Sequence, residues 1–585
     1  MERGREMDAS GTASASVSLI PTAFLIFLLF GCAALGYAGL GCAQSNSSDS
    51  ELANRAKQLF AEQRWQEIVS LSQAAQNPSA DFDFYNGTAL AQLGRLADAQ
   101  QVFAAGARLQ PHDKRFPLEL AGVAFEQQQY APAARYLRRA LRLDPNDSYG
   151  NDFLGTVYFL QGNVEAALKY WNRVDKPQIV GVRAQPTPQV NAALLDRAFA
   201  FAPASALRRP DLLTSDVRVR GLGVFPSHQF DLQARDDGKF DVVFRNRERD
   251  GWGQTKLEKL FLLFRGLPFL SITPEVYNLR HQAINFVSVY RWDAEKRRLS
   301  AELSGPFKAN PKFRYGLIAD LRSENWDVRK SFQGPAPLLG SLNMRREAMA
   351  VSFASFESGR WRWSAGAEVS HRDFRSLVPG IALTPTLLAK GYQLKQLAQL
   401  DATLWRLPER RLTLEAGLSS QAGRLWSQPS HSFEKLQGSA RFHWLPQAQG
   451  DDYEVQQQIR AGKTFGGVPF DELFMLGLER DNDLWMRGHI GTRDGRKGSA
   501  PLGRNYFLSN WEADKNVYGN GIFTVKIGPF LDTGKITDAS PALGSRQWLW
   551  DVGAQAKVRV FGIGVAFSYG KDLRSGNNAF YVSMR

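Results

Sequence analysis

From about Ser271 to the C-terminus, the sequence alternates between apolar and polar residues in segments of roughly 9–11 residues, separated by charged or glycine-rich turns. A strand turns successive side chains to opposite faces, so each segment has one apolar and one polar face. Examples are Asn285 to Trp292, Leu299 to Leu303, Tyr315 to Leu321, Trp361 to Val369, Leu412 to Leu418, Phe433 to Trp444, Gln547 to Phe561, Ile563 to Gly570 and Asn578 to Arg585. The pattern predicts a transmembrane antiparallel β-barrel over residues 271–585.

Aromatic residues near the ends of these segments are typical of the two surfaces of a membrane. We expect interfacial belts from Trp292, Trp363, Trp405, Trp444, Trp548, Trp550 and Tyr569. A soluble β-sandwich is the alternative, but an all-β unit of about 310 residues exceeds the usual size of one domain. The barrel is therefore the favoured interpretation.

Near the C-terminus, a glycine-containing loop precedes two strand-like pieces with acidic residues on their polar faces. Ile522 to Asp532 is the second piece, and Asp532 ends its polar face. A charge at that depth needs a partner, because an unpaired buried charge is costly. The planar guanidinium of Arg487 can reach both Asp532 and Glu512.

Arg487-Gly488 after an apolar residue resembles the (V/I)-R-G-(F/Y) loop of the POTRA-plus-barrel family of outer-membrane assembly and secretion proteins. Glu512 and the run from Gly528 to Asp532 resemble that family's acidic partners on the next strands. The resemblance implies a barrel of about 16 strands. It also implies that the loop folds back into the barrel and is locked there through Arg487, Gly488, Glu512 and Asp532.

Two features depart from the family's pattern. His489 stands where the family has an aromatic residue, and the chain ends in Arg585 rather than in phenylalanine or tryptophan.

Residues 51–177 repeat with a period of 34. Positions in register are Gly87, Ala121 and Gly155; Ala99, Ala133 and Ala167; and Phe103, Leu137 and Trp171. Small residues let two antiparallel helices approach closely, while large apolar residues fill the layer between repeats. The pattern resembles the tetratricopeptide repeat (TPR), an all-α solenoid, with three clear copies and a weaker one over Leu52 to Pro78. Such repeats bind partners on a concave surface; a helical spacer is the alternative.

Residues 178–250 read as strand, helix, helix, strand, strand. Gln189 to Phe201 and Pro210 to Val219 are the predicted helices, and His228 to Ala234 pairs with Phe240 to Arg247 in a hairpin. With Leu222-Gly223-Val224-Phe225 before the hairpin, the unit resembles a single small α+β POTRA domain. The exposed edge of such a sheet can accept an extended peptide. A generic α+β linker domain is the alternative, and residues 251–270 follow as a linker helix.

The first 43 residues have the pattern of an export signal: Arg3 and Arg5, an apolar run from about Leu19 to Leu35, then small residues. Cys32 and Cys42 stand in imperfect lipoprotein boxes, so ordinary cleavage, lipidation and a retained anchor stay open. Asn46 to Ser50 is expected to be a polar linker.

No catalytic chemistry is indicated. The seven histidines lack metal-ligand spacing, so no metal site is predicted, and no cofactor motif occurs. Gly462-Lys463-Thr464 lacks the earlier glycine of a phosphate-binding loop and is assigned to a barrel strand. The net charge of +14 is scattered, which argues against nucleic-acid binding.

These features predict a non-enzymatic multidomain protein of the outer membrane, with its N-terminal domains in the periplasm. The resemblance implies that it contacts outer-membrane lipid and inserts or translocates unfolded polypeptide clients, which dock on the TPR and POTRA regions. Two alternatives stay open. One is a binding scaffold, in which the TPR region recruits a periplasmic partner and the barrel is an anchor. The other is an outer-membrane channel for anionic solutes.

Overall fold

The computed structural model describes residues 42–73, 78–253, 256–330, 337–378, 383–447, 452–519, 523–538, 543–544, 547–560 and 563–584. The predicted signal therefore lies almost wholly outside the described residues. The described part opens inside a helix, which runs through Asn46 to Ser50. The polar linker expected there is wrong: Asn46 to Ser50 belong to the helix that runs to Ala61, and no glycine or proline interrupts it there.

The N-terminal region is a row of helical hairpins. Its helices are α1 (Cys42–Ala61), α2 (Trp65–Leu71), α3 (Ala80–Gln92), α4 (Leu96–Leu109), α5 (Arg115–Glu126), α6 (Tyr130–Leu143), α7 (Ser148–Leu160) and α8 (Val164–Trp171). Three of the tight turns within hairpins have a left-handed residue at the same place in the 34-residue period: Gly94, Gln128 and Gly162, with φ of 75°, 58° and 67°. No helix of the described residues is both long and apolar enough to cross a membrane.

A mixed three-stranded sheet with two helices follows. Its elements are β1 (Ile179–Gln185), α9 (Ala192–Ala198), α10 (Arg209–Leu222), β2 (Ser227–Ala234) and β3 (Phe240–Arg247). The strand order is β1-β3-β2, with β1 parallel and β2 antiparallel to β3. Gly223 ends α10 in the left-handed region, with φ of 71°, which a glycine adopts without a steric penalty.

The later helical hairpins, α5 to α8, share one hydrophobic core with this α+β unit, whereas the buried residues of α1 to α4 form separate clusters. The shared core runs from Ala121 in α5 to Phe244 in β3 without a break. At the junction, Trp171 packs against Phe240 with ring centroids 5.3 Å apart. These later hairpins and the α+β unit are therefore distinct in sequence but packed as one body.

A short helix α11 (Lys256–Phe264) and a 3₁₀ turn (Leu267–Phe269) lead to a large sheet. Its strands are β4 (Ser271–Ile272), β5 (Glu275–Leu279), β6 (Ile284–Trp292), β7 (Lys296–Phe307), β8 (Asn310–Arg329), β9 (Leu338–Ser355), β10 (Trp361–Val378), β11 (Gly391–Leu407), β12 (Leu412–Trp426), β13 (His431–Trp444), β14 (Tyr453–Gly466), β19 (Asn505–Gly519), β20 (Phe523–Thr537), β21 (Leu549–Val560), β22 (Ile563–Asp572) and β23 (Asn578–Met584). Between β14 and β19 lie the two-residue strands β15 (Phe474–Met475), β16 (Thr492–Arg493), β17 (Arg496–Lys497) and β18 (Leu502–Gly503).

Neighbouring strands from β6 onward pair antiparallel in chain order, and the sheet curls into a barrel. Both β4 and β5 pair with β6 and so form one interrupted strand. Counted in this way, the described residues give fifteen long strands, against about 16 expected. Many strands exceed the expected length, because their polar ends continue the pairing beyond the apolar band.

Side chains alternate between the two faces of the barrel wall. In β11, Leu394 and Leu400 point outward and are 45% and 46% exposed, whereas Gln393 and Lys395 point inward and are 0% and 5% exposed. An outer surface with this much exposed apolar area needs an apolar surrounding.

Aromatic residues mark two levels on this outer face. Tyr392 pairs with Trp426 at one level, while Trp405 pairs with Leu414 beside Trp444 at the other. With a rise of about 3.4 Å per residue and a tilt of about 40°, the stretch from Leu414 to Trp426 covers about 30 Å along the barrel axis. That height suits the hydrocarbon core of a bilayer.

Candidate functional site

The interior of the barrel is occupied by the chain between β14 and β19. We call residues 467–504 the luminal segment. Its side chains contact inward-facing residues on strands from β6 to β22, so the wall surrounds it. The predicted loop arginine lies in this segment.

Arg487 is 3% exposed and makes a dense set of polar contacts with the wall. Its Nε and Nη2 donate to the two oxygens of Asp532 on β20, at 2.9 and 2.5 Å, and its backbone N donates to Asp532 at 2.9 Å. Its Nη1 donates to Glu512 on β19 at 2.6 Å and to Gln555 on β21 at 2.9 Å. The structure thus brings together the residues that the sequence proposed as partners.

The apolar neighbour of Asp532 also belongs to this site. Phe530 interrupts the polar face of its strand in the sequence, yet it is buried and the guanidinium carbon of Arg487 lies 3.8 Å from its ring centroid. A cation over an aromatic face is attracted by the ring quadrupole. Phe530 is therefore a contact of Arg487 that alternation alone does not indicate.

Glycines let the loop backbone approach the wall. A Cβ on Gly570 would stand 2.2 Å from the carbonyl oxygen of Arg487, and one on Gly488 would stand 2.7 Å from Asp551 Cγ. Any larger residue at either position would push the loop away from the strands. Close packing against the strands therefore explains why a glycine follows Arg487.

The acidic partners have further support. Glu512 also binds Lys557, which in turn lies 2.7 Å from Asp514. Asp532 also accepts a hydrogen bond of 2.7 Å from Asn510. These contacts help to fix the orientation of the carboxylates that bind Arg487.

Two other charge clusters join the luminal segment to the opposite wall, and sequence reasoning missed both. Asp481 binds Arg291 and Arg298 at 2.9 and 2.6 Å, and Lys497 at 3.2 Å. The inward alternation of the basic residues was available in the sequence. Their partners were not, because the pairs join residues far apart in the chain.

A similar cluster surrounds Glu472, near the start of the luminal segment. Lys395 of β11 lies 2.9 Å from its carboxylate and Lys435 of β13 lies 3.2 Å away. The three clusters hold the segment on different sides of the barrel. A buried ion pair costs desolvation energy but strongly specifies one arrangement when fully bonded.

The period-34 residues sit between paired helices. A Cβ on Gly87 would stand 2.6 Å from the Phe103 ring, and one on Gly155 would stand 2.3 Å from the Trp171 ring. The other residues of this set are fully buried: Ala99, Ala121, Ala133, Leu137 and Ala167. They are packing residues, and none contacts the barrel interior.

The helical region is also fixed to the barrel rim. Glu165 of α8 binds Arg406 of β11 at 2.8 Å and Arg209 of α10 at 3.0 Å. In the next turn, Glu409 accepts a hydrogen bond of 2.9 Å from Tyr170. Burial, reinforced by the nearby Glu409 carboxylate, raises the pKa of the Tyr170 hydroxyl. Helix α8, helix α10 and the turn between β11 and β12 therefore meet at one point of the rim.

His489, two residues after Arg487, is buried between two carboxylates. Its Nδ1 lies 3.1 Å from Asp551 on β21, and its Nε2 lies 3.6 Å from Asp572 at the end of β22. The prediction of no metal site rested on sequence spacing. Spacing could not reveal this group, because its members lie on three separate elements.

Comparisons with known proteins do not establish the function, so these side chains carry the argument for it. No protein-family model matches the chain, and no curated protein matches it. Among solved structures, a BamA from Haemophilus ducreyi lacking POTRA domains 1–3 is 11% identical with a TM-score of 0.40, over 69% of this chain and 83% of that one. CdiB from Escherichia coli is 14% identical with a TM-score of 0.43, over 68% and 73%. CdiB from Acinetobacter baumannii is 12% identical with a TM-score of 0.39, over 70% and 73%.

Proposed function

We propose that this chain is an outer-membrane barrel that inserts or translocates polypeptides. The observation that carries the proposal is the burial of Arg487 against Asp532, Glu512 and Gln555, which seats a loop inside the barrel. The POTRA-plus-barrel resemblance of the sequence assigns that lock to proteins that handle polypeptide clients. On this proposal Arg487 is a positioning residue and carries no catalytic step.

On the same proposal, the chain has three parts. The helical hairpins are TPR repeats, the three-stranded unit is a POTRA domain, and the sheet is closed between its first and last strands. The outward apolar band and its aromatic levels support a barrel that lies in lipid, and we propose that the N-terminal body lies in the periplasm. Protease added to intact cells should then leave residues 51–250 uncut, and cleavage there would refute this orientation.

The occupied interior favours clients over solutes. An anion channel needs an open water-filled path, whereas here the luminal segment crosses the interior and binds the wall at Glu472, Asp481 and Arg487. Passage of a chain through the lumen would have to break the buried ion pairs that these three residues make with the wall. Insertion along the wall leaves those pairs in place, so we favour insertion over passage.

One edge of the small sheet is suited to dock an extended client. The start of β1 is covered, because Ile179 N donates to Ser205 O at 2.9 Å. In the described residues, β2 pairs only with β3. A photo-reactive residue at Gln229 on β2 should therefore crosslink clients in cells, while one at Val180 on β1 should not. Equal crosslinking at both positions would refute edge docking.

The central experiment compares outer membranes from cells with and without this protein by quantitative proteomics. We expect a defined set of outer-membrane or surface proteins to fall, and to stay low when Arg487→Ala replaces the wild type at equal abundance. An unchanged outer-membrane proteome would overturn the proposal.

A binding scaffold is the second candidate, and the rim contact of α8 favours it. Glu165 and Tyr170 fix the helical region at one orientation beside the barrel, as a partner platform would require. A scaffold predicts loss of one bound periplasmic partner in the deletion strain, with no broader change in membrane proteins.

A further inference from the structure

The buried group of His489, Asp551 and Asp572 lies beside the arginine lock and is joined to it through Gly488 N, which donates to Asp551. His489 belongs to the luminal segment, Asp551 to β21, and Asp572 to the end of β22. One ligand atom from each residue lies within 4.8 Å of the others, and all three side chains are at most 4% exposed. Imidazole nitrogen and carboxylate oxygen are the donor types that divalent transition-metal ions take in proteins.

Asp551 has an oxygen that its protein neighbours leave unsatisfied. Its Oδ2 accepts a hydrogen bond of 2.6 Å from Gly488 N and faces His489 Nδ1. Its Oδ1 has no hydrogen-bond partner in the described part of the chain, although Asp551 is 0% exposed. A Cβ on Gly488 would stand 2.7 Å from this Oδ1 and 2.7 Å from Asp572 N, so Oδ1 is directed into the gap between the loop and β22.

The imidazole of His489 can pair in charge with only one of the two carboxylates, although Asp572 also accepts hydrogen bonds from the backbone N of Arg574 and of Ser575. Among the described residues, the only ion pairs of Asp551 and of Asp572 are with His489. A protonated imidazole between two carboxylates leaves one net negative charge in a buried place, where uncompensated charge is costly. A neutral imidazole, two carboxylates and one divalent cation sum to zero.

We propose that His489, Asp551 and Asp572 bind one divalent transition-metal ion of the Zn²⁺ type. Donor distances of about 2.0–2.2 Å to such an ion require ligand atoms roughly 3–4 Å apart, and these atoms lie within 4.8 Å of one another. Because the two carboxylates face different nitrogens of the imidazole, one of them must move towards the nitrogen that binds the ion. The ion ties the luminal segment to β21 and β22, two residues beyond Arg487. This inference stands apart from the proposed function, since it concerns how the segment is held, whatever the barrel transports.

The test uses the full-length protein without a histidine tag, folded in detergent, stripped with a chelator and dialysed against Zn²⁺. Bound metal is measured by mass spectrometry of the elements. We expect about one ion per folded chain, and at least a roughly tenfold weaker apparent affinity in His489→Ala and in the isosteric Asp551→Asn, because each removes a ligand. His443→Gln is the matched control, since His443 pairs with the single carboxylate of Glu454 at 2.8 Å.

Heat-dependent gel mobility restricts the comparison to folded barrels. The chelator should also speed protease cleavage of the luminal segment in the wild type, and not in Asp551→Asn. Metal content that is equal in wild type and both ligand variants would overturn the proposal. So would a wild type without bound Zn²⁺, in which a protonated His489 makes the bridge alone.

Discussion

Replacing Arg487 with alanine tests the lock most directly, and the contacts of its guanidinium set the expected cost. Asp532 is 0% exposed and loses two charge-assisted hydrogen bonds. It keeps Asn510 Nδ2 at 2.7 Å and the backbone N of residue 487. Glu512 is less affected, because it keeps Lys557. Asp532 is thus the carboxylate that the change leaves stranded.

Removing one partner of a buried ion pair costs about 3–5 kcal/mol. The retained bonds of Asp532 place Arg487→Ala near the lower end, and the lost contact with Phe530 adds roughly 0.5–2 kcal/mol. Glu512→Ala should cost about 1–2 kcal/mol, because Arg487 keeps Asp532 and Lys557 keeps Asp514. Arg487→Lys should rescue only in part, since an ammonium cannot make the bidentate contact.

Two readouts separate seating of the loop from folding of the barrel. Resistance to heat in detergent reports the barrel, whose hydrogen-bonded ladder does not depend on the loop. Protease cleavage of the luminal segment reports seating. We expect Arg487→Ala and Asp532→Ala to expose the luminal segment while the barrel stays folded, with client handling lost in cells.

A double-mutant cycle gives the sharpest refutation. If Arg487 and Asp532 pair as observed, the combined substitution should be less disruptive than the sum of the single ones, by roughly 1–3 kcal/mol. Strict additivity would mean that the two residues act independently. Full protection and full activity in Arg487→Ala would likewise refute the lock, and with it the main support for the proposed function.

Three further predictions concern the N-terminal body. Residues 46–176 alone should give a circular dichroism spectrum dominated by helix; one dominated by strand would contradict the repeat packing. Burial raises the pKa of Asp83 to about 6, so this group favours folding of that unit as pH falls from about 6 towards 4. Asp83→Asn should therefore raise its thermal midpoint at pH 7.5 and raise it by less at pH 4.5, where the Asp83 carboxyl is already largely protonated in the folded unit. Glu165→Ala leaves Arg209 and Arg406 without their shared partner, and should increase amide exchange in α8; unchanged exchange would mean that the rim contact is unimportant.

The parts of the fold that could be predicted from sequence are those with a local period. The alternation of Leu394 and Lys395 predicts which face of the strand is the apolar outer one. The 34-residue spacing of Gly87, Ala121 and Gly155 predicts that the helices pair. Arg487 and Asp532 were linked because each needs a buried partner of opposite charge. These inferences require only neighbouring residues or complementary charge.

What could not be predicted depends on contacts between distant segments. Asp481 meets Arg291 and Arg298 across the barrel, and nothing in the local sequence of Asp481 names strands β6 and β7. The ends of strands were also missed, because a polar strand end pairs as readily as an apolar one. Phe530 breaks the alternation for a reason that is visible only when Arg487 lies over its ring.

The contacts at the barrel rim restrict how the N-terminal body can move relative to the barrel. The core shared by the later helical hairpins and the small sheet makes these parts of the N-terminal body one unit, and Glu165 and Glu409 attach that unit to the β11–β12 turn. On the other side, Asn285 of β6 donates to Leu222 O at 2.9 Å. Further contacts join α10 to the turn between β9 and β10, where Arg218 Nη2 donates to Glu357 O at 3.2 Å and Gly359 N donates to Thr214 Oγ1 at 3.1 Å. Attachment at several separated points of the rim resists rotation in a way that one linker cannot. A client held on β2 would therefore stay at a fixed distance from the barrel wall, and release would require these attachments to open.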